Sequence, residues 1–502
     1  MLRIRSSLTA ACLTVLLPLV GLAAAPAPAE AARSSDVRFS SGPGTGAPTD
    51  EVGGVPVHAL GADPRPVGEN VSTIGPVAAS PSVNHVRMGQ GWTTWSHGYT
   101  GDVYQTTRPE SGPEGVTLTL PARTSAVYFY AEPDQWAEIS IEATTKDGTT
   151  SSDQLVQGEG GARYFGFYST KPFSSFITSI TVSSEEAFAI GELAIGSDLS
   201  RYAALGDSYS SGEGGTRPTP ETDTLANHCH RDVDAYPVRL SRDDKDLRPL
   251  GFAACSGAVT RDLTHDNHLF PSEPPQLDTL SSLTTSVTLT IGGNDVGFSA
   301  VLDACLQARG HADGRGCSTR SSLTGAVDAR LSALAGQVGA PTPGASPVTP
   351  VTEVLSQIHA RSPEARIYLA AYPELFGSSR GDFTKDGSSP SGRVCRVNQV
   401  ADASLDYQDA RWINRRTKDL NAVLKHAVKQ AKVADGSLRA TFVTVPTFDD
   451  HGLCDKKKAW INPLVLLVSP TSQVVAPDPV SFHPTRTGQK KGYYRAFQRH
   501  GL

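Results

Sequence analysis

The stretch Tyr202-Ala-Ala-Leu-Gly-Asp-Ser-Tyr-Ser-Ser-Gly-Glu-Gly214 leaves a short apolar run and then turns abruptly polar. Eight of the nine residues from Gly206 to Gly214 are Gly, Ser, Asp or Glu. A solvated turn accounts for this, because Asp and Ser next to Gly are ordinary turn chemistry. A serine held at a strand end accounts for it too, with Gly206 allowing tight backbone and Ser208 offering its hydroxyl to a carbonyl. Taken alone, the turn is the stronger reading.

The surrounding chain changes that balance. From about Ser200, apolar runs at 202–205, 286–291, 366–370 and 441–445 alternate with helical patterns at 323–338, 352–361 and 402–433. Short apolar strands between longer helices predict a mostly parallel sheet covered on both faces, a three-layer α/β sandwich. Chemistry in such sheets gathers at the strand carboxyl ends. The loops after Leu205, Ile291 and Val445 are therefore expected on one rim.

Upstream, 76–196 reads differently. Alternating runs at 116–120, 126–130, 137–143, 164–168 and 176–182 are separated by Gly, Pro and Asp. That pattern predicts an all-β, jelly-roll-like sandwich domain. Trp92, Trp95, Tyr99 and Tyr104 line either a polysaccharide- or surface-binding face or the core of this domain. Residues 32–75, rich in Ser, Gly, Pro and Asp, read as a flexible arm. Residues 1–31 have a basic start, an apolar run and the small-residue site Ala29-Glu-Ala31, the layout of a secretory signal peptide. No later segment reaches the roughly 18–20 apolar residues of a spanning helix. The sequence thus predicts a secreted, soluble protein.

Net charge is −6, from 45 basic and 51 acidic side chains, which gives no basis for capturing nucleic acid. Cys12 falls in the signal peptide, leaving Cys229, Cys255, Cys305, Cys317, Cys395 and Cys454. An even set in an exported chain suggests three disulfides. Several pairings are possible; order and spacing favour Cys229–Cys255, Cys305–Cys317 and Cys395–Cys454. A zinc cluster around His228, Cys229 and His230 lacks a close Cys-x-x-Cys pair and is the weaker reading.

Two more stretches bear on Ser208. Ile291-Gly-Gly-Asn-Asp-Val296 directly follows a strand-like run; it is either an Asx turn or a loop that aims the Asn294 amide at developing negative charge. Ser481-Phe-His-Pro-Thr485 holds His483 ahead of a proline that restrains the chain. Ser, Asn and His in three such loops, in this order, are hard to treat as unrelated turns.

With Phe252-Ala-Ala-Cys-Ser-Gly257, these blocks resemble the four ordered motifs of the SGNH (GDSL-type) hydrolases. Residues 200–502 are most similar to the secreted actinobacterial esterase, lipase and phospholipase branch, a group with three disulfides. The resemblance does not extend to 33–196. It implies Ser208 as nucleophile, His483 as base, and an oxyanion hole from the amides of Ser208 and Gly257 with the Asn294 side chain. It also implies structural roles for Asp207 and Asp295. Glu213 reads as solvated or as a loop brace.

One position departs from the family pattern. The aspartate often found three residues before the histidine is Val480 here. A main-chain carbonyl, of Val480 or Ser481, is then expected to orient His483 in a Ser–His dyad, with Asp478 the alternative. The resemblance implies acyl-ester hydrolysis with no cofactor or metal. The substrate is a lipid or, alternatively, an acetylated polysaccharide held through 76–196. The loops 269–280 and 299–321 are expected to shape the acyl pocket. Nothing in the sequence specifies an oligomer, and a monomer is expected.

Overall fold

Parallel strands buried on both faces need apolar or small residues at every position, and two stretches meet that demand in full. Tyr202–Gly206 and Ser286–Thr290 are buried throughout. In the computed structural model they are neighbours in a five-stranded sheet ordered Leu250–Phe252, Tyr202–Gly206, Ser286–Thr290, Arg366–Ala370, Arg439–Val443. Each adjacent pair is parallel. The structure describes residues 35–106, 114–197, 199–307, 316–337, 347–398, 403–468 and 475–502. The expected signal peptide lies outside them, and the statements below concern the unit Asp36–Leu502.

Helices pack on this sheet through residues at helical spacing. Val354, Leu355 and Ile358 of Val351–Arg361 share the sheet's core with Leu420, Leu424, Ala427 and Ala431 of Tyr407–Ala434. Each fully buried leucine contributes about 2 kcal/mol. Asp406 caps Tyr407–Ala434 by accepting from Gln408 N at 2.7 Å. The helix expected over 402–433 starts later because Ala403–Asp406 pairs instead with Arg393–Asn398. The strand expected at 441–445 ends at Val443, since Pro446 has no amide to donate and Val445 turns into Pro446–Phe448. The edge strand Leu250–Phe252 has no sequence counterpart; three residues around a glycine carry no period.

The all-β region is one large, mainly antiparallel sheet system running from Val37–Ser40 through Arg163–Ser169, Ala126–Pro133 and Phe188–Gly196 to Glu138–Thr145 and Gln154–Gln157. The flexible arm expected over 32–75 is corrected for its described part. Val37–Ser40 pairs with Arg163–Ser169, His58–Ala59 with Phe188–Gly196, and Asn70–Ile74 with Val77–Met88. The reason is that Val37, Val52, Val55, Val57, Val71 and Ile74 are all buried. A few well-spaced apolar side chains outweigh the polar composition around them.

Of the two readings left open for the aromatics, the core one holds for Trp92 and Tyr104. Trp92 and Tyr104 are buried, Trp92 donating to Glu132 at 3.0 Å and Tyr104 to Asp63 at 3.0 Å. Trp95 and Tyr99 are half-buried against each other. His85, fully buried, sets Nε2 3.0 Å from Asp102 Oδ1 and Nδ1 3.2 Å from the Pro66 carbonyl. The β region meets the α/β region where the Arg201 guanidinium lies 4.9 Å over the Phe173 ring. Leu199 and Leu283 join the Tyr128, Tyr130 and Tyr164 cluster there.

Candidate active site

The serine comes first in the chain and is the most tightly placed. Gly206 ends its strand with φ +110°, and a Cβ there would stand 2.1 Å from the Thr290 carbonyl oxygen. Only glycine lets the two central strands approach so closely before the turn. Asp207 then caps the short helix Ser208–Ser211. Its carboxylate accepts from Tyr209 N at 3.0 Å, from Thr290 Oγ1 at 2.7 Å, and from the Tyr372 hydroxyl. Burial pushes the Asp207 carboxyl up to about 7 against the pull of these donors. Asp207 therefore braces the turn and does not face the cavity with a free oxygen.

Ser208 Oγ lies 2.8 Å from His483 Nε2. The other ring nitrogen, Nδ1, is 3.0 Å from the Ser481 carbonyl. Of the carbonyls expected to orient the ring, it is that of Ser481; the Val480 carbonyl accepts from His483 N at 3.2 Å and fixes the backbone. Asp478 is turned inward to its own loop, where Oδ1 accepts from Val480 N at 3.0 Å. That Asx turn holds one carboxylate oxygen within its own loop, while Asp478 also lines the cavity.

The histidine loop is held by three hydrogen bonds to two residues, Asn462 and Tyr209. Asn462 N donates to His483 O and Phe482 N to Asn462 O, while Tyr209 OH donates to Phe482 O at 3.0 Å. Phe482 is left-handed, φ +62°, a conformation costing roughly 1–2 kcal/mol for a side chain of its kind. Burial lowers the His483 pKa below its ordinary value, opposed chiefly by the charge of Glu213. A ring biased toward its neutral form is suited to accept a proton.

Gly257 and Asn294 reach the same cavity. Neither the Ser208 nor the Gly257 amide has a partner among the described residues. Asn294 Nδ2 donates one hydrogen to the Ala258 carbonyl at 2.9 Å, which fixes the side chain and leaves its second N–H uncommitted. Asp295 is buried and accepts from Thr260 N and Thr260 Oγ1, the latter at 2.6 Å; burial raises its carboxyl to about 6. Cys229–Cys255, Cys305–Cys317 and Cys395–Cys454 are bonded. The first ties the Gly257 loop down and takes the Cys229 sulfur out of any metal set. Among the described residues no group of three His, Cys, Asp or Glu could hold a metal ion.

The cavity is about 680 Å³, and its walls beyond the polar end are Phe270, Phe298, Leu302, Leu306, Leu375 and Leu464. Leu269, Phe270 and the helix Phe298–Gln307 come from the two loops expected to shape it. The loop after Arg366–Ala370 contributes Tyr372, Pro373 and Leu375, which nothing but their place after a strand could have flagged. The loop after Arg439–Val443 does not line the cavity. Glu213, read as solvated or bracing, is buried and lines the cavity.

The family model for the GDSL-like Lipase/Acylhydrolase family matches residues 204–491. The chain belongs to that family and is an ester hydrolase. A lipase from Streptomyces rimosus is 29% identical over 293 residues, covering 58% of this chain and 83% of the relative. Lipase 1 of Streptomyces coelicolor is 27% identical over 292 residues, with the same shares covered. Among solved structures, a phospholipase A1 from Streptomyces albidoflavus NA297 matches at 26% identity and a TM-score of 0.41, covering 60% of this chain and 99% of that one. The all-β region lies outside the family match. No described helix is long and apolar enough to cross a membrane.

Proposed function

We propose that this chain is an exported serine hydrolase that cleaves carboxylic esters of lipids through a covalent acyl-Ser208 intermediate. The observation that carries the reading is the 2.8 Å contact between Ser208 Oγ and His483 Nε2 at the polar end of an apolar cavity. His483 takes the hydroxyl proton as Ser208 Oγ bonds to the ester carbonyl carbon. The carbonyl oxygen becomes an oxyanion, held by the amides of Ser208 and Gly257 and the free N–H of Asn294. Collapse breaks the bond to the alcohol, which leaves with the proton from His483. Water, deprotonated by the same ring, then releases the acid.

The apolar groove supports long acyl chains over acetyl groups, which need no such wall. In this reading 200–502 form the hydrolase domain, with helices and sheet in three layers, and the β region is an accessory domain. Three disulfides and the apolar N-terminal run support export. The test is hydrolysis of p-nitrophenyl esters from acetate to palmitate by wild type and Ser208→Ala. Loss of all activity in the variant and a rate rising with chain length are expected. A preference for acetate would favour the polysaccharide acetyl esterase, and full activity of Ser208→Ala would sink the serine assignment.

A further inference from the structure

The proposed mechanism leaves one buried acid beside the cavity without a task. Glu213 is 4% exposed, and its amide donates to the Ser208 carbonyl at 3.0 Å. Its Oε2 accepts from His230 Nδ1 at 2.6 Å and from Ser256 Oγ at 2.6 Å. Ser256 directly precedes Gly257, and its amide donates to the Cys229 carbonyl beside His230. One carboxylate thus joins the serine turn, the oxyanion loop and the irregular segment to which that loop is disulfide-bonded.

The next residue reaches the base. A Cβ on Gly214 would lie 2.9 Å from His483 Cβ and 2.6 Å from the Pro484 carbonyl oxygen, with φ +92°. The Gly214 carbonyl accepts from Asn462 Nδ2 at 2.9 Å, and Asn462 in turn binds the His483 carbonyl. Segment 213–214 is therefore wedged between the base and the oxyanion donor.

We infer that Glu213 is a positioning residue for ester hydrolysis, an anionic hub that sets the Gly257 amide through Ser256 and stabilises the imidazolium formed on His483. This rests on the Ser208–His483 reading above. A carboxylate buried at this depth would be costly without donors. Burial opposes its ionisation, but the hydrogen bond from His230, the charges of His483 and His230, and the Ser256 hydroxyl together hold it below the ordinary carboxyl range. The other groups facing this cluster are Asp223, 3.4 Å from His230 Nε2, Asp232, Asp478 and His228. Tyr209 packs on the far side of the His483 ring.

Two neighbours of opposite charge predict opposite effects. Glu213→Gln keeps the shape and an acceptor but removes the charge, so the acid limb of the kcat/KM profile moves to lower pH. His230→Asn removes the cation and moves that limb to higher pH. Ser256→Ala leaves the limb in place. In Glu213→Gln and Ser256→Ala kcat falls roughly 10–100-fold with KM little changed, the scale of a misplaced catalytic group.

The experiment is the pH profile of all four proteins on p-nitrophenyl butyrate, with circular dichroism to confirm folding. Covalent labelling of Ser208 by a fluorophosphonate is run on the wild type first. Failure to label Ser208 would overturn the serine reading itself. Labelling with limbs that stay in place in both Glu213→Gln and His230→Asn would overturn the role of Glu213 alone. If Glu213→Gln does not fold, His230→Asn decides by itself.

Discussion

Two histidines, one in each region, invite comparison: His85 is fully buried and His483 half-buried at the cavity wall. His85 in the β region has the partner usually sought beside a catalytic ring, a carboxylate, with Asp102 at 3.0 Å. His483 in the α/β region has only a main-chain carbonyl. Yet the carboxylate-paired ring faces Tyr104 and the Pro66 carbonyl, and does not line the 680 Å³ cavity. The carbonyl-paired ring has its second nitrogen against a serine hydroxyl at the wall of that cavity. In the proposed reading, what the second nitrogen sees therefore separates a structural histidine from a reactive one. The acidity of its other partner does not.

The sharpest way to break the comparison is to remove each ring. His483→Ala should lower kcat by roughly 10⁴–10⁶-fold with the melting temperature nearly unchanged. His85→Ala should do the reverse, leaving kcat per folded molecule intact while costing about 1–3 kcal/mol in denaturant unfolding, because Asp102 loses a buried donor. A large drop in turnover from His85→Ala would end the distinction. Next in size, Asn294→Ala should cost about 10²–10³-fold in kcat with KM less affected, as expected for one oxyanion donor.

A smaller effect concerns pH and stability. The Asp295 carboxyl is raised by burial to about 6 in the folded chain. The folded state binds its proton more tightly than the unfolded state, so this stabilisation is complete below the ordinary carboxyl value and is lost as pH rises through about 6. Asp295→Asn should flatten that part of the melting-temperature profile relative to wild type. Smallest of all, Asp478→Asn should change kcat/KM far less than Asn294→Ala, since its carboxylate accepts from Val480 N of its own loop. A loss as large as that of Asn294→Ala would put Asp478 back beside the ring.

How much of this was legible in the sequence differs between the regions for a physical reason. The central strands of the parallel sheet declare themselves because both faces are buried, leaving continuous apolar runs at 202–205 and 286–291. The site residues were readable because each sits in a loop next to such a run or in a recurring motif. The β region hid its first strands, since Val37, Val71 and Ile74 are single apolar residues among polar ones. Of the two readings of Glu213, solvated or bracing, the structure supports the brace, which the sequence could not choose. Sequence gives an acid's position along the chain but not which donors converge on it. Tyr372 had only its place after a strand to mark it and Asn462 had no mark, because their roles depend on loops brought together from distant parts of the chain.

The Ser481 carbonyl that aligns His483 has a consequence for how the site can vary. A backbone oxygen cannot be replaced by a point substitution, and it does not titrate in acid as a carboxylate would. Orientation of the ring is thus inherited from the shape of the loop around the left-handed Phe482, which the Ser481 hydroxyl helps to hold by accepting from Val465 N at 2.9 Å and donating to Val465 O at 3.1 Å. Loss of alignment would come by remodelling that loop, through the bonds that Ser481 Oγ, Tyr209 and Asn462 make in it.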